Sequence, residues 1–199
     1  MMFFTSDLHF NHANVIEYCA RPFQDVDEMN EALIDNWNKT VDDNDTVWIL
    51  GDVCLGDIKR SLELVSNLRG TKHLLVGNHD RPFRDKGSKP DWDQRYLDAG
   101  FASLHHGSVQ LDHDDLTAVL SHFPFTGDSQ TTDRFVEHRP FDTGNVLLHG
   151  HVHGRWRRKE RLIDVGVDAW GGRPVSLPTI VETLAGPLHA EPLTWSARV

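Results

Sequence analysis

Basic charge is scarce in this chain, where 20 Lys and Arg stand against 30 Asp and Glu for a formal charge of −10. A dedicated binder of duplex DNA carries a basic stripe, so this balance argues against long nucleic acid as a partner. Cysteine is scarcer still. Cys19 and Cys54 stand alone, with no C-x-x-C arrangement and no disulfide framework, so a reducing, cytoplasmic setting is expected. No apolar run approaches the ~18 residues of a membrane span, which excludes a membrane partner. The opening Met1-Met2-Phe3-Phe4-Thr5-Ser6-Asp7 has no basic segment and is cut short by Asp7, so it does not read as a secretory signal. Repeats, low-complexity tracts and linkers are missing too, which leaves the 199 residues as a single domain with a sizeable core. What abounds is histidine and aspartate, 13 and 22 residues, both of them metal-ligating side chains.

Short apolar runs at residues 2–6, 46–50, 73–76, 116–120 and 146–148 read as buried strands. Asp25 with Glu28 three residues on has the form of a capping box, and Met29, Leu33 and Trp37 follow at helical spacing. Ile58, Leu62, Val65 and Leu68 mark a second amphipathic helix that ends before Gly70. Strands alternating with helices imply parallel βαβ units in the first half. Further on, residues 101–110 and 116–120 read as hairpin partners and 162–167 as another strand. Residues 123–144, with Pro124, Gly127, Pro140 and Gly144, form a long loop of the kind that is often functional. The tail beyond Gly186 is either an edge strand or loose. The fold expected is α/β, with two packed β-sheets (a β-sandwich) flanked by helices.

Each of the five runs ends in potential metal ligands. They lead into Asp7-Leu8-His9, Gly51-Asp52, Gly77-Asn78-His79-Asp80, Ser121-His122 and His149-Gly150-His151-Val152-His153. In α/β sheets ligands bind outside the carboxyl ends of strands, so five loops can aim Asp, Asn and His at one point. Gly51, Gly77 and Gly150 let the backbone turn sharply there. At this composition a D-x-H triplet arises about 1.4 times by chance, G-H-x-H about 0.06 times and G-N-H-D about 0.005 times. Their joint occurrence, in order and at strand ends, is the strongest signal in the chain.

D-x-H, G-D, G-N-H-D, a lone His and G-H-x-H, from Asp7 to about Val167, resemble the calcineurin-like metallophosphoesterase superfamily. Ser6-Asp7-Leu8-His9-Phe10-Asn11-His12, Arg21-Pro22-Phe23 and Ser121-His122-Phe123-Pro124 resemble its small, cap-less bacterial and phage members. The resemblance implies a β-sandwich with flanking helices and two divalent metal ions. It implies Asp7, His9 and His153 around one ion, Asn78, His122 and His151 around the other, Asp52 bridging both, and His79 as the catalytic histidine. Ions ~3.5–4 Å apart repel, so a shared carboxylate and a shared hydroxide are needed between them, and the hydroxide can attack phosphorus. The mixed donor set suits Mn, Fe or Zn better than Ca or Mg. The activity implied is a phosphodiesterase for small nucleotide-type esters, cyclic ones included. A phosphomonoesterase or a small nuclease is the alternative, and a protein-binding scaffold of the same fold is the non-enzymatic one. A metallo-β-lactamase-type hydrolase is disfavoured, because its H-x-H-x-D-H needs Asp and His where Arg155 and Trp156 stand.

Several residues leave two readings open. The family places an orienting Asp where this chain has Leu55, and Asp57 either replaces it or caps the next helix. Asp80 is a turn residue or a support for a ligand. His12 either meets phosphate or starts a helix. His149 should pack, and His105, His106 and His113 should face solvent. Arg155, Arg157, Arg158, Lys159 and Arg161 either grip an anionic substrate or line a solvated hairpin tip, and the same question attaches to Arg21 and Arg81.

Overall fold

Burial on both faces of the first strand sets the layers of the computed structural model, which describes residues 1–83, 91–113 and 115–195. In β1 (Met2–Thr5) Phe3 and Phe4 are both buried on opposite faces, so the strand is covered on both sides. It pairs in parallel with β2 (Thr46–Ile49), which pairs with β3 (Thr71–Leu75), which pairs with β4 (Phe101–His105). The short α1 (Asn14–Tyr18), α2 (Val26–Thr40) and α3 (Ile58–Val65) lie between these strands, as βαβ connectivity requires. Asp25 accepts from the Glu28 amide at 2.9 Å, and Glu28 reaches back to the Gln24 amide at 2.8 Å, so α2 starts where its cap dictates. Met29, Leu33 and Trp37 of α2 and Ile58, Leu62 and Val65 of α3 pack on Phe3, Val47, Ile49 and Leu74 of the sheet.

The second sheet is built from β5 (Ser108–His113), β6 (Leu116–Ser121), β7 (Val146–His149), β8 (Arg158–Lys159) and β9 (Leu162–Asp164), in the order β8-β9-β7-β6-β5. Phe4, Leu50 and Leu75 from the first sheet meet Leu111, Leu120, Leu148 and Ile163 from the second. The architecture is therefore α/β with two packed sheets flanked by helices. At the edges, β10 (Val175–Ser176) adds antiparallel to β1, and β11 (His189–Ala190) adds antiparallel to β8. The tail thus supplies an edge strand, and residues 196–199 lie outside the described ones. No helix among the described residues is long and apolar enough to cross a membrane.

The structure departs from the sequence pattern in three places. Residues 101–110 are two strands, because the chain bends at His106-Gly107, where Gly107 takes φ +86°, and passes from the first sheet to the second. Only β5 forms the hairpin with β6. The apolar pattern did not announce α4 (Asp91–Asp98) or α5 (Leu177–Ala185). Ser176 caps α5 by accepting from the Thr179 amide at 3.3 Å, and Leu177 and Ile180 close the core between the sheets. His105 is half-buried rather than solvated, since its Nε2 lies 2.8 Å from the Ser103 hydroxyl and its ring rests 5.3 Å from that of Trp48.

Candidate metal centre

The loop after β1 is stitched to that after β2, and the loop after β6 to that after β7, by backbone hydrogen bonds. The Asp7 amide donates to Gly51 O, the His9 amide to Asp52 O and the Gly150 amide to His122 O, each at 3.0 Å. Asp7, His9, Asp52, His151 and His153 hold φ of 57°, 53°, 56°, 71° and 54°. Such left-handed conformations cost a non-glycine residue about 1–3 kcal/mol each and cluster at functional sites. Of the adjacent glycines, Gly51 is left-handed at φ +92°, so it serves the sharp turn. Gly77 and Gly150 serve close approach instead. An added Cβ would lie 2.3 Å from Asp52 Oδ1 at Gly77 and 2.1 Å from Ser6 Oγ at Gly150.

Asp52 occupies the middle. Its Oδ2 lies 3.4 Å from His122 Nε2, 3.7 Å from His9 Nε2 and 4.0 Å from His79 Nε2, and its Oδ1 accepts from the His79 amide at 2.8 Å. Burial opposes its charge, but the neighbouring imidazoles, His122 foremost, hold its carboxyl well below the usual range. Asp7, His9 and His153 bring donor atoms within 4.8 Å of one another, and so do Asp7, Asp52 and His122. Asn78 Oδ1 is 3.0 Å from His122 Nε2, and the His151 ring is 5.2 Å from that of His122. The seven expected ligands and His79 meet in one place.

What holds each ring at its far nitrogen decides which nitrogen is left. His122 Nδ1 bonds Leu50 O at 2.7 Å, His151 Nε2 bonds Asp128 at 3.2 Å, and His153 Nδ1 bonds Asp168 at 2.9 Å. His122 Nε2, His151 Nδ1 and His153 Nε2 are left to face the centre. Both ring nitrogens of His9 are buried with no hydrogen-bond partner among the described residues, a costly state for polar atoms. Burial above all keeps the His9 pKa well below its ordinary value, so its lone pair is available. Despite their burial, the Asp52 carboxylate pushes His122 up to about 9 and the Asp168 carboxylate holds His153 well above its ordinary value, so a metal there competes with protons. Imidazoles, carboxylates and one amide fit divalent transition ions.

Residues 2–155 match the family model of the calcineurin-like phosphoesterases. The chain belongs to that family. This phosphoesterase is 40% identical to the Gene 66 protein of Mycobacterium phage D29, over 85% of this chain and 88% of that one. It is 33% identical to an uncharacterized protein of Methanocaldococcus jannaschii, over 92% and 90% of the two chains. Among solved structures it is similar to the protein of unknown function AQ665 from Aquifex aeolicus, at 28% identity and a TM-score of 0.67, covering 92% of this chain and 98% of that one.

Sequence reasoning missed the two carboxylates behind the phosphoesterase's G-H-x-H histidines. Asp168 is clamped by the buried Arg21, whose Nε and Nη2 each donate to it at 2.9 Å, while Nη2 also donates to Asp7 O at 2.7 Å. Arg21 is thus a structural clamp with no side left for phosphate. Asp128 is clamped by Arg134 at 2.7 Å. Asp168 had a signal, since it follows the 162–167 run as the other site residues follow theirs. Asp128 had none, lying inside the long 123–144 loop.

The remaining candidates fall into place. Asp80 is buried and accepts from the amides of Gly77, Asp52 and Val53 at 2.9, 2.9 and 3.0 Å, joining two site loops. Burial and the Asp52 charge push its carboxyl up to about 7. Asp57 caps α3 by accepting from the Arg60 amide at 3.1 Å and does not take the place of the Asp absent at Leu55. His149 packs against Trp156 with Nδ1 on Gly150 O, as expected. Arg81 lies over Trp92, away from the centre. The basic cluster divides: Arg158 is buried beneath the carbonyls of Thr183 and Gly186, Arg157 and Lys159 lie over Trp170 and Trp156, and Arg161 pairs with Asp142. Arg155 alone of the five lines the cleft of about 720 Å³ that opens beside the centre, together with His9, His12, His79 and His153.

Proposed function

We propose that this phosphoesterase is a dinuclear metal-dependent phosphodiesterase of small nucleotide-type esters, cyclic ones included. The observation that carries the proposal is the set of inward-facing nitrogens on His122, His151 and His153, each fixed from behind, around an Asp52 carboxylate and a His9 with no hydrogen-bond partner among the described residues. Asp7, His9 and His153 would hold one ion and Asn78, His122 and His151 the other, with Asp52 shared between the two sets. Mn, Fe or Zn suits these donors. When bound, such a pair supplies Lewis acidity to phosphate oxygens and lowers the pKa of water.

The chain's own part is positioning and proton transfer. His79 has a 40% exposed side chain in the cleft, its ring 5.3 Å from that of His9. The hydrogen bond its backbone N–H donates to Asp52 Oδ1 sets it beside the candidate centre without making it a ligand. From there its imidazole protonates the departing ester oxygen. A cleft of about 720 Å³ has room for groups on both sides of phosphorus, which favours a diester over a monoester. The charge of −10 weighs against long nucleic acid. Two cysteines without a disulfide, Cys19 and Cys54, suit a cytoplasmic setting.

Hydrolysis of bis(p-nitrophenyl) phosphate and p-nitrophenyl phosphate by Mn²⁺-reconstituted protein, with and without chelator, tests the proposal. The diester should be cleaved faster, and chelator should stop it. Faster cleavage of the monoester would make the protein a phosphomonoesterase, and no chelator-sensitive cleavage of either would leave a protein-binding scaffold.

A further inference from the structure

The cleft beside the centre is much larger than a phosphoryl group needs, and its two lining strips differ in chemistry. Pockets of about 300–1,000 Å³ enclose whole small molecules, so a cleft of about 720 Å³ has most of its volume left for the rest of a substrate. One strip comes from α1 and its exit: Val15, Tyr18, Cys19 and Ala20. Tyr18 is 72% exposed, a large ring that the fold leaves uncovered. Its edge meets His12 at 6.3 Å between centroids, and His12 lies 5.4 Å from His9. A row of rings therefore runs from the centre outward through His9, His12 and Tyr18.

The other strip is polar: Ser129, Gln130, Arg134 and Arg155. Arg134 is committed to Asp128. Arg155 donates to Ser129 O at 3.0 Å and meets no carboxylate among the described residues, so its remaining donors are available. An aromatic face beside a donor-bearing strip fits a planar ligand with a flat apolar surface and a hydrogen-bonding edge. A glycerol ester offers no flat face to stack, and an acyl chain offers no hydrogen-bonding edge.

We propose that this slot takes the nucleobase of a nucleoside phosphate, stacked on Tyr18 with Gln130 and Arg155 at its polar edge. Tyr18 and Arg155 then determine substrate class, and His12, whose Nδ1 is buried without a hydrogen-bond partner among the described residues, lines the passage between base and phosphate. This rests on the centre being a phosphoester site as proposed above.

Calorimetric titration of the Mn²⁺-loaded protein with adenosine monophosphate, adenosine, glycerol phosphate and inorganic phosphate tests it, in the native chain and in Tyr18→Ala, Tyr18→Phe and Arg155→Gln. Adenosine monophosphate should bind at least about tenfold tighter than glycerol phosphate. Tyr18→Ala should weaken the nucleotide about 5- to 100-fold and inorganic phosphate less than about twofold, while Tyr18→Phe stays within about threefold. Arg155→Gln should weaken the nucleotide more than inorganic phosphate. Equal affinity for nucleotide and glycerol phosphate, or an equal loss for every ligand in Tyr18→Ala, overturns the slot, and retained phosphate binding leaves the centre standing. If no phosphate-bearing ligand binds, the centre fails and adenosine alone reads the slot. Adenosine binding that Tyr18→Ala abolishes supports it, and no adenosine binding ends it.

Discussion

His151 Nε2 donates to Asp128 Oδ2 across 3.2 Å, joining the G-H-x-H motif to a loop residue 23 positions earlier. Burial holds the His151 pKa down to about 4, so the ring is neutral and carries one ring proton. With that proton on Nε2, the lone pair is on Nδ1. Asp128 stays ionised because Arg134 and neighbouring amides outweigh its burial and hold its carboxyl well below the usual range.

Asp128 is therefore a positioning residue for one ion of the proposed pair. Asp128→Ala should weaken metal binding at that ion about 10- to 100-fold and leave the other little changed. Equilibrium dialysis with elemental analysis reads both ions separately. Unchanged affinity at both would make Asp128 a tether for the 123–144 loop and nothing more.

Arg21 and Asp168 make a buried ion pair, with side chains 0% and 2% exposed. Arg21→Met would leave Asp168 buried without its main partner, which typically costs about 3–5 kcal/mol, read by denaturant unfolding of the metal-free protein. Acid should act on the same pair. Burial pushes the Asp168 carboxyl up, but Arg21 and His153 outweigh it and hold it well below the usual range. Its folded value lies below the unfolded one of about 3.9, so its stabilisation is complete above that pH and is lost as pH falls through the folded value. Melting curves of metal-free protein below pH ~4 should therefore fall more steeply for the native chain than for Asp168→Asn. Parallel curves would contradict the assignment.

The parallel strands and their ligand-bearing ends were legible because each apolar run is short, buried on both faces and stopped at once by Asp, Asn or His. That pattern alone brings the loops bearing Asp7, His9, Asp52, Asn78, His122, His151 and His153 to one point, while the choice of these seven among their neighbours came from the family resemblance. The carboxylate behind His151 was not legible, for a physical reason. Asp128 and Arg134 meet His151 through the path of an irregular loop, and no periodicity encodes such a path. The break at His106-Gly107 was hidden because residues on both sides suit a strand, and only tertiary packing assigns them to different sheets. The basic run at 155–161 left two readings open for a related reason: successive side chains of a hairpin point to different surroundings, so charges adjacent in sequence do not make a patch.

Glycine substitutions separate close approach from backbone handedness. Gly144 is left-handed at φ +85° with nothing near its missing Cβ, so Gly144→Ala should cost only about 1–2 kcal/mol. Gly150 has an ordinary φ, but a Cβ there would lie 2.1 Å from Ser6 Oγ and 2.6 Å from Asp7 Oδ2. Gly150→Ala must displace Asp7, so it should lower metal content as well as stability, the latter by about 1–3 kcal/mol. If Gly150→Ala kept full metal content, the crowding argument would fail.

The last prediction concerns His79, whose Nε2 is 4.0 Å from Asp52 Oδ2 and for which the family resemblance implies an orienting Asp at the position of Leu55. Asp57 caps α3 instead, so orientation falls to the backbone bond between the His79 amide and Asp52 Oδ1. That bond survives a side-chain substitution, and His79→Asn should keep its metals. If His79 protonates the departing oxygen, its value depends on how much that oxygen needs a proton. A ribose alkoxide leaves poorly, so the variant should lose about 10²–10⁴ in rate on nucleotide diesters. The nitrophenolate ion is a weak base and leaves unaided, so the loss on bis(p-nitrophenyl) phosphate should be much smaller. Equal losses on both, with metal content unchanged, would assign His79 to positioning or charge stabilisation, and undiminished activity on both would remove it from the mechanism.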